Sequence, residues 1–105
     1  MTRGEIWLVI LDPTVGSEIK KTRPCVIVSP PEMHDHLRMV LVEPMTTAGR
    51  EAPFRIDVTH GGRKGLILLD QIRAVDKTRV IKKLGIVSTK TLTAALRTLQ
   101  EVFAD

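Results

Sequence analysis

Apolar residues along this chain fall first into short runs and then, near the end, into a helical stripe. Glu5 to Leu11 is an apolar run that stops at Asp12-Pro13-Thr14, a turn signal, and a polar loop from Val15 to Arg23 follows. Pro24 to Ser29 is continuous and β-branched, the pattern of a strand covered on both faces, and Pro30-Pro31 ends it. Leu37 to Pro44 predicts another strand, with a polar stretch from Thr46 to Glu51 behind it. Phe54 to Val58 alternates as a half-buried strand does, and Thr59-His60-Gly61-Gly62 reads as a turn. Gly65 to Leu69 reads as a buried strand that Gln71 to Val75 continues, and Val80 to Val87 holds one more.

The period then changes. Leu92, Ala95, Leu96, Leu99, Val102 and Phe103 recur at three- and four-residue steps, which gives a helix one apolar face. Ser88 stands where its hydroxyl can accept from a first-turn amide and so cap that helix. Many short strands followed by one helix predict a mainly β fold: an antiparallel, partly closed small barrel with helical cover. The helix is expected to dock on the barrel or to be shared with a second copy.

Composition narrows this picture. A chain of 105 residues, 43% apolar and 27% charged, makes one ordinary globular domain spanning 1–105. The single cysteine, Cys25, has no partner for an internal disulfide and lies in an apolar run, so it reads as a small core hydrophobe. The opening residues do not form a signal peptide, and no stretch reaches the roughly 20 apolar residues that span a bilayer. The expectation is a reduced, cytoplasmic protein. A formal charge of +4 and a pI near 9.6 favour polyanionic partners, because a positive field steers and holds phosphates.

The sequence has no Gly-rich phosphate loop, no helical His pair with a Glu and no Cys/His cluster. Glu32, His34, Asp35 and His36 stand together after Pro30-Pro31 and read as a solvated loop, with no metal or cofactor expected. His60, beside two glycines, reads as a turn residue. Arg23 precedes Pro24 at the mouth of a buried strand, and the proline biases it towards an extended, well-aimed conformation. A guanidinium held there can donate two parallel hydrogen bonds to phosphate oxygens, or it can be an ordinary surface cation. Thr46 and Thr47, directly after a strand, can cap a turn or bind a phosphate.

In order, several segments resemble the MazF/PemK/Kid toxin family: Arg3-Gly4-Glu5-Ile6-Trp7, Asp12-Pro13-Thr14-Val15-Gly16-Ser17-Glu18, Thr22-Arg23-Pro24 with the strand after it, Pro44-Met45-Thr46-Thr47, Pro53-Phe54, Leu69-Asp70-Gln71-Ile72-Arg73 and Val75-Asp76. The resemblance runs from residue 3 to the C-terminal helix. It implies a homodimer of small SH3-like barrels with added helices, cutting RNA at short single-stranded sequences without a metal. The ribose 2′-oxygen attacks the adjacent phosphorus and leaves a 2′,3′-cyclic phosphate and a 5′-hydroxyl.

By the same resemblance, the family's Arg carries over to Arg23 and its Thr to Thr46. Both suit a reaction that builds negative charge on non-bridging oxygens. Glu18 and Asp70 are alternative carboxylates for removing the 2′-proton. Some plasmid-borne members carry a His in the first loop and an Arg two residues before the Asp; here those positions are Ser17 and Leu68, which weakens a mechanism centred on Asp70. Aromatics are 3% of the chain, so RNA must be held mostly by charge: Lys20, Lys21 and Arg50, with Thr47 and Phe54 beside them, while Trp7 reads as core.

The resemblance also implies a cognate antitoxin that threads an acidic, disordered segment through the basic groove. Sequence specificity is expected in the loops 15–22 and 47–53. The rival reading is a gyrase-binding toxin of the CcdB type, which shares the fold and cuts nothing. A catalytically dead antitoxin-binding module is a third.

Overall fold

The computed structural model describes residues 1–19 and 21–105, so Lys20 lies outside the described residues. Seven strands form one antiparallel sheet: β1 (Glu5–Ile10), β2 (Thr22–Ile27), β3 (Met39–Thr46), β4 (Arg55–His60), β5 (Arg63–Leu68), β6 (Arg73–Asp76) and β7 (Val80–Ile86). A short helix, α1 (Pro31–His34), follows β2, and the long helix α2 (Thr89–Val102) ends the chain. The sheet runs β4-β5-β3-β2-β1-β7, with β6 paired to β3 off that path. The result is a curled half-barrel with a helix against it, the mainly β architecture that the strand pattern predicts.

β3 is the pivot. Its first half, Met39 to Val42, pairs with β6, and its last residues, Met45 and Thr46, pair with β5. Between them, Val42 to Pro44 face Ile27 to Cys25 of β2. A strand that changes neighbours along its length bends the sheet around itself, and two apolar clusters fill the two sides. Ile6, Val26, Val28, Met45, Ile67 and Leu69 build one beneath α2; Val9, Cys25, Ile27, Val40, Val42 and Val75 build the other. Cys25 is fully buried, and burial pushes its thiol up to about 12. Trp7 packs half-buried on the second cluster, its Nε1 donating to Glu5 Oε1 at 3.0 Å.

α2 docks within its own chain through Leu92, Ala95 and Leu99. Ser88 caps it as expected, its Oγ accepting from Thr91 N at 3.1 Å. Phe103 lies past the last helical residue and is 73% exposed, so the apolar stripe reaches the core only as far as Leu99.

Three expectations need correction. Gln71 to Val75 does not continue β5: the chain makes a single 3-10 turn at Leu69–Gln71 and returns as β6 against β3. Thr59 and His60 belong to β4, and the turn is the pair Gly61-Gly62 alone. Their φ values of 58° and 75° are those of a tight two-residue hairpin, which glycine adopts without steric cost. His34 is not solvated; it is buried, with Ser29 Oγ and the Met1 carbonyl each 2.8 Å from a ring nitrogen, while Asp35 and His36 stay exposed. Ser29 also accepts from Leu41 N, so this histidine ties the chain start and α1 to β3.

Glu43 belongs to none of the motifs in the sequence, yet its position is unusual. Alternation puts it on the same face of β3 as Leu41 and Met45, which pack into the cluster beneath α2. It is 0% exposed, neither carboxylate oxygen has a hydrogen-bond partner among the described residues, and burial pushes its acid up to about 8.

Candidate active site

A cleft of about 370 Å³ opens where β3 parts from β2, a volume in the range of ligand sites. The pairing register creates it. β2 meets β3 only from Cys25 onward, so Arg23 and Pro24 stand beyond the last rung, while Thr46 has turned away to pair with Leu66 of β5. Arg23 lines one wall of the fork, Thr46 and Thr47 the other, and the β4–β5 hairpin forms the third with Val58, His60 and Arg63. Arg23 and Thr46 thus border one cavity from different strands.

Thr46 is held firmly. Its Oγ1 accepts from Ala48 N at 3.2 Å, which orders the turn after β3 and leaves the hydroxyl proton unused by that bond. Gly65 on β5 presses against it from behind: a Cβ at that position would lie 2.6 Å from the Thr46 carbonyl oxygen, so only glycine permits this approach.

The two carboxylates considered for proton removal lie elsewhere. Glu18 and Asp70 line a separate recess with Gln71 and Arg73. Glu18 Oε1 accepts from Val15 N at 2.7 Å and closes the first loop on itself. Asp70 is 40% exposed and receives two bonds from Arg55, Nε to Oδ1 and Nη2 to Oδ2, both 3.2 Å. Those bonds to Asp70 strengthen the hold of the Arg55 guanidinium on its proton. Arg55 stands opposite Leu68 in the β4–β5 register. Arg55 Nη1 also donates to the Arg50 carbonyl at 3.0 Å, which pins the connection between β3 and β4.

Of the residues expected to touch RNA, Thr47 lines the cleft, whereas Lys21, Arg50 and Phe54 are exposed outside it. Phe54 adopts φ 68°, a left-handed backbone that costs a non-glycine residue ~1–2 kcal/mol. Its ring is exposed just before β4. His60 and Arg63 are cleft residues that sequence reasoning missed. A signal was available for His60, because it shares strand parity with Ile56 and Val58, which face the core. Arg63 had no such signal: its place depends on the hairpin folding back over β3. Among the described residues, no group of three or more His, Cys, Asp or Glu could hold a metal ion.

A family model described as PemK-like, MazF-like toxin of type II toxin-antitoxin system matches residues 2–103. The chain is 42% identical over 90 residues to the endoribonuclease PemK of Escherichia coli, an alignment covering 80% of this chain and 68% of that protein. The crystal structure of MazF from Deinococcus radiodurans superposes with a TM-score of 0.86 at 21% identity, over 97% of this chain and 94% of that one. An endoribonuclease in complex with its cognate antitoxin, from a mycobacterial species, superposes with a TM-score of 0.80 at 22% identity, over 96% and 92%. At such identities the structural likeness speaks for the fold.

Proposed function

The chain belongs to the PemK-like, MazF-like toxin family of type II toxin-antitoxin systems, and from that premise we propose that it is an endoribonuclease cutting single-stranded RNA in the cleft between β2 and β3. The reaction is transesterification: the 2′-oxygen attacks the adjacent phosphorus and the P–O5′ bond breaks, leaving a 2′,3′-cyclic phosphate and a 5′-hydroxyl. It needs no metal. The supporting observation is that Arg23 and Thr46, from different strands, border one cleft. A fixed guanidinium and a fixed hydroxyl donate to the non-bridging oxygens as charge builds on them, which lowers the barrier. Arg23 can also protonate the leaving 5′-oxygen, and a guanidinium, which has donors and no acceptor, does not take the 2′-proton.

Lys20, Lys21 and Arg50 hold flanking phosphates, Thr47 adds a hydroxyl at the cleft, and Phe54 offers a ring on which a base can stack. Specificity resides in the loops 15–22 and 47–53, the second of which Arg55 braces. The single domain acts in the cytoplasm as a homodimer, away from membranes. Long single-stranded RNA incubated with the protein in EDTA should yield discrete fragments ending in cyclic phosphate. Intact RNA would reject this reading and favour a gyrase-binding toxin instead.

The cognate antitoxin inserts an acidic, disordered segment into the same basic groove. Its binding and RNA cleavage should exclude one another, and both should weaken as salt rises, because exposed charges are screened beyond about 10 Å at 0.1 M. Simultaneous occupancy of one toxin by RNA and antitoxin in a titration would contradict this.

A further inference from the structure

Something must take the 2′-proton, and the cleft offers few groups able to do so. Its cationic side chains, Arg23 and Arg63, offer donors and no acceptor. Thr46 and Thr47 are far weaker acceptors. Glu18 and Asp70 border a different recess, and Asp70 is engaged by Arg55. Glu43 is sealed in the core. Among the described residues that line the cleft, His60 alone carries a ring nitrogen whose lone pair can accept a proton.

We propose that His60 is the general base of the cleavage, resting on the ribonuclease reading given above. Its neutral imidazole accepts the 2′-proton as the 2′-O–P bond forms. The P–O5′ bond breaks, the leaving 5′-oxygen takes a proton from Arg23, and the imidazolium then releases its own proton to solvent while Arg23 regains one.

The fold seats the ring for this task. His60 is the last residue of β4, paired with Arg63 across the Gly61-Gly62 turn, and strand parity aims it to the same side as Val58, another cleft residue. β7 closes in behind it at Gly85, where a Cβ would lie 3.3 Å from His60 Cε1. A glycine there lets the imidazole rest against the far end of the sheet and brings no charge to it. Lys83, two residues earlier on β7, is committed to Glu5 at 3.0 Å. The charged groups facing the imidazole across the cleft are therefore Arg23 of β2 and Arg63 of β5; β3 contributes Met45 and Thr46 and no charge.

The test compares His60→Gln with the unaltered protein on a short RNA and on its 2′-O-methyl analogue, which binds but cannot react. General-base catalysis is worth about 10²–10⁴-fold. His60→Gln should lose at least about 10²-fold in kcat, bind the analogue within about threefold, and lack the acidic limb of the pH–rate profile. Cleavage within about threefold of the unaltered protein, or a loss carried wholly by weaker binding with the limb retained, would overturn the assignment. If the unaltered protein cuts no RNA, the ribonuclease reading falls and takes this one with it; if it cuts and the variant cuts equally, His60 alone is eliminated.

Discussion

Replacing Arg23 by alanine should take RNA cleavage to the floor of the assay, a loss of about 10³-fold, while the protein stays folded. The size follows from position. The guanidinium borders the cleft that Thr46 also lines; in the proposed reaction charge accumulates there in the transition state, and water admitted in its place would have to reorganise. Arg23→Lys should recover only part of the rate, because an ammonium keeps the charge and loses the two-pronged geometry. Stability should change by no more than ~1 kcal/mol, since the packing of β2 rests on Cys25, Val26 and Ile27 beyond the cleft. Thermal melting and cleavage of an unstructured RNA are the paired measurements. Retained cutting by the alanine variant would remove Arg23 from the mechanism.

The second large effect concerns stability. Among the described residues Glu43 has no hydrogen-bond partner for either oxygen, and its acid is raised from the ordinary value of 4.5 to about 8. Below the unfolded value both states carry the proton and folding is not penalised. Between those values the unfolded chain has lost its proton while the native one keeps it, so stability falls as pH rises and levels off above about 8. Every tenfold gain in proton affinity on folding corresponds to about 1.4 kcal/mol, so the full decline amounts to several kcal/mol. Glu43→Gln, which cannot ionise, should flatten that decline and melt higher than the unaltered protein at pH 8, by several degrees for each kcal/mol regained. Parallel melting profiles for the two proteins from pH 5 to 8 would show that Glu43 finds a compensating partner.

Local signals in the sequence reach as far as the elements themselves. The stripe from Leu92 to Leu99 with Ser88 ahead of it, and the continuous run at Pro24 to Ser29, state their own structure because the relevant contacts repeat within a turn or along a strand. What periodicity cannot express is which strand lies beside which. The pairing of β6 with β3 and the fork that makes the cleft depend on residues far apart in the chain. Arg63 is a cleft residue only because of that fork. Glu43, by contrast, carries a local signal: a strand apolar at Val40, Leu41, Val42 and Met45 is covered on both faces, so a charge inside it must be buried. His34 escapes sequence reasoning for another reason: its burial comes from the first residue of the chain folding over α1, which no local pattern records.

β3 has a further implication for how this molecule tolerates change. β2 and β5 grip it at different heights, and the span from Val42 to Thr46 measures the distance between those grips. One residue added or removed there would invert every side chain beyond the change. The Thr46 hydroxyl would swing out of the cleft, and a neighbouring side chain of opposite facing would take its place. Loops at either end of the molecule can lengthen freely; this short span serves as a ruler, and its residue count matters as much as its composition.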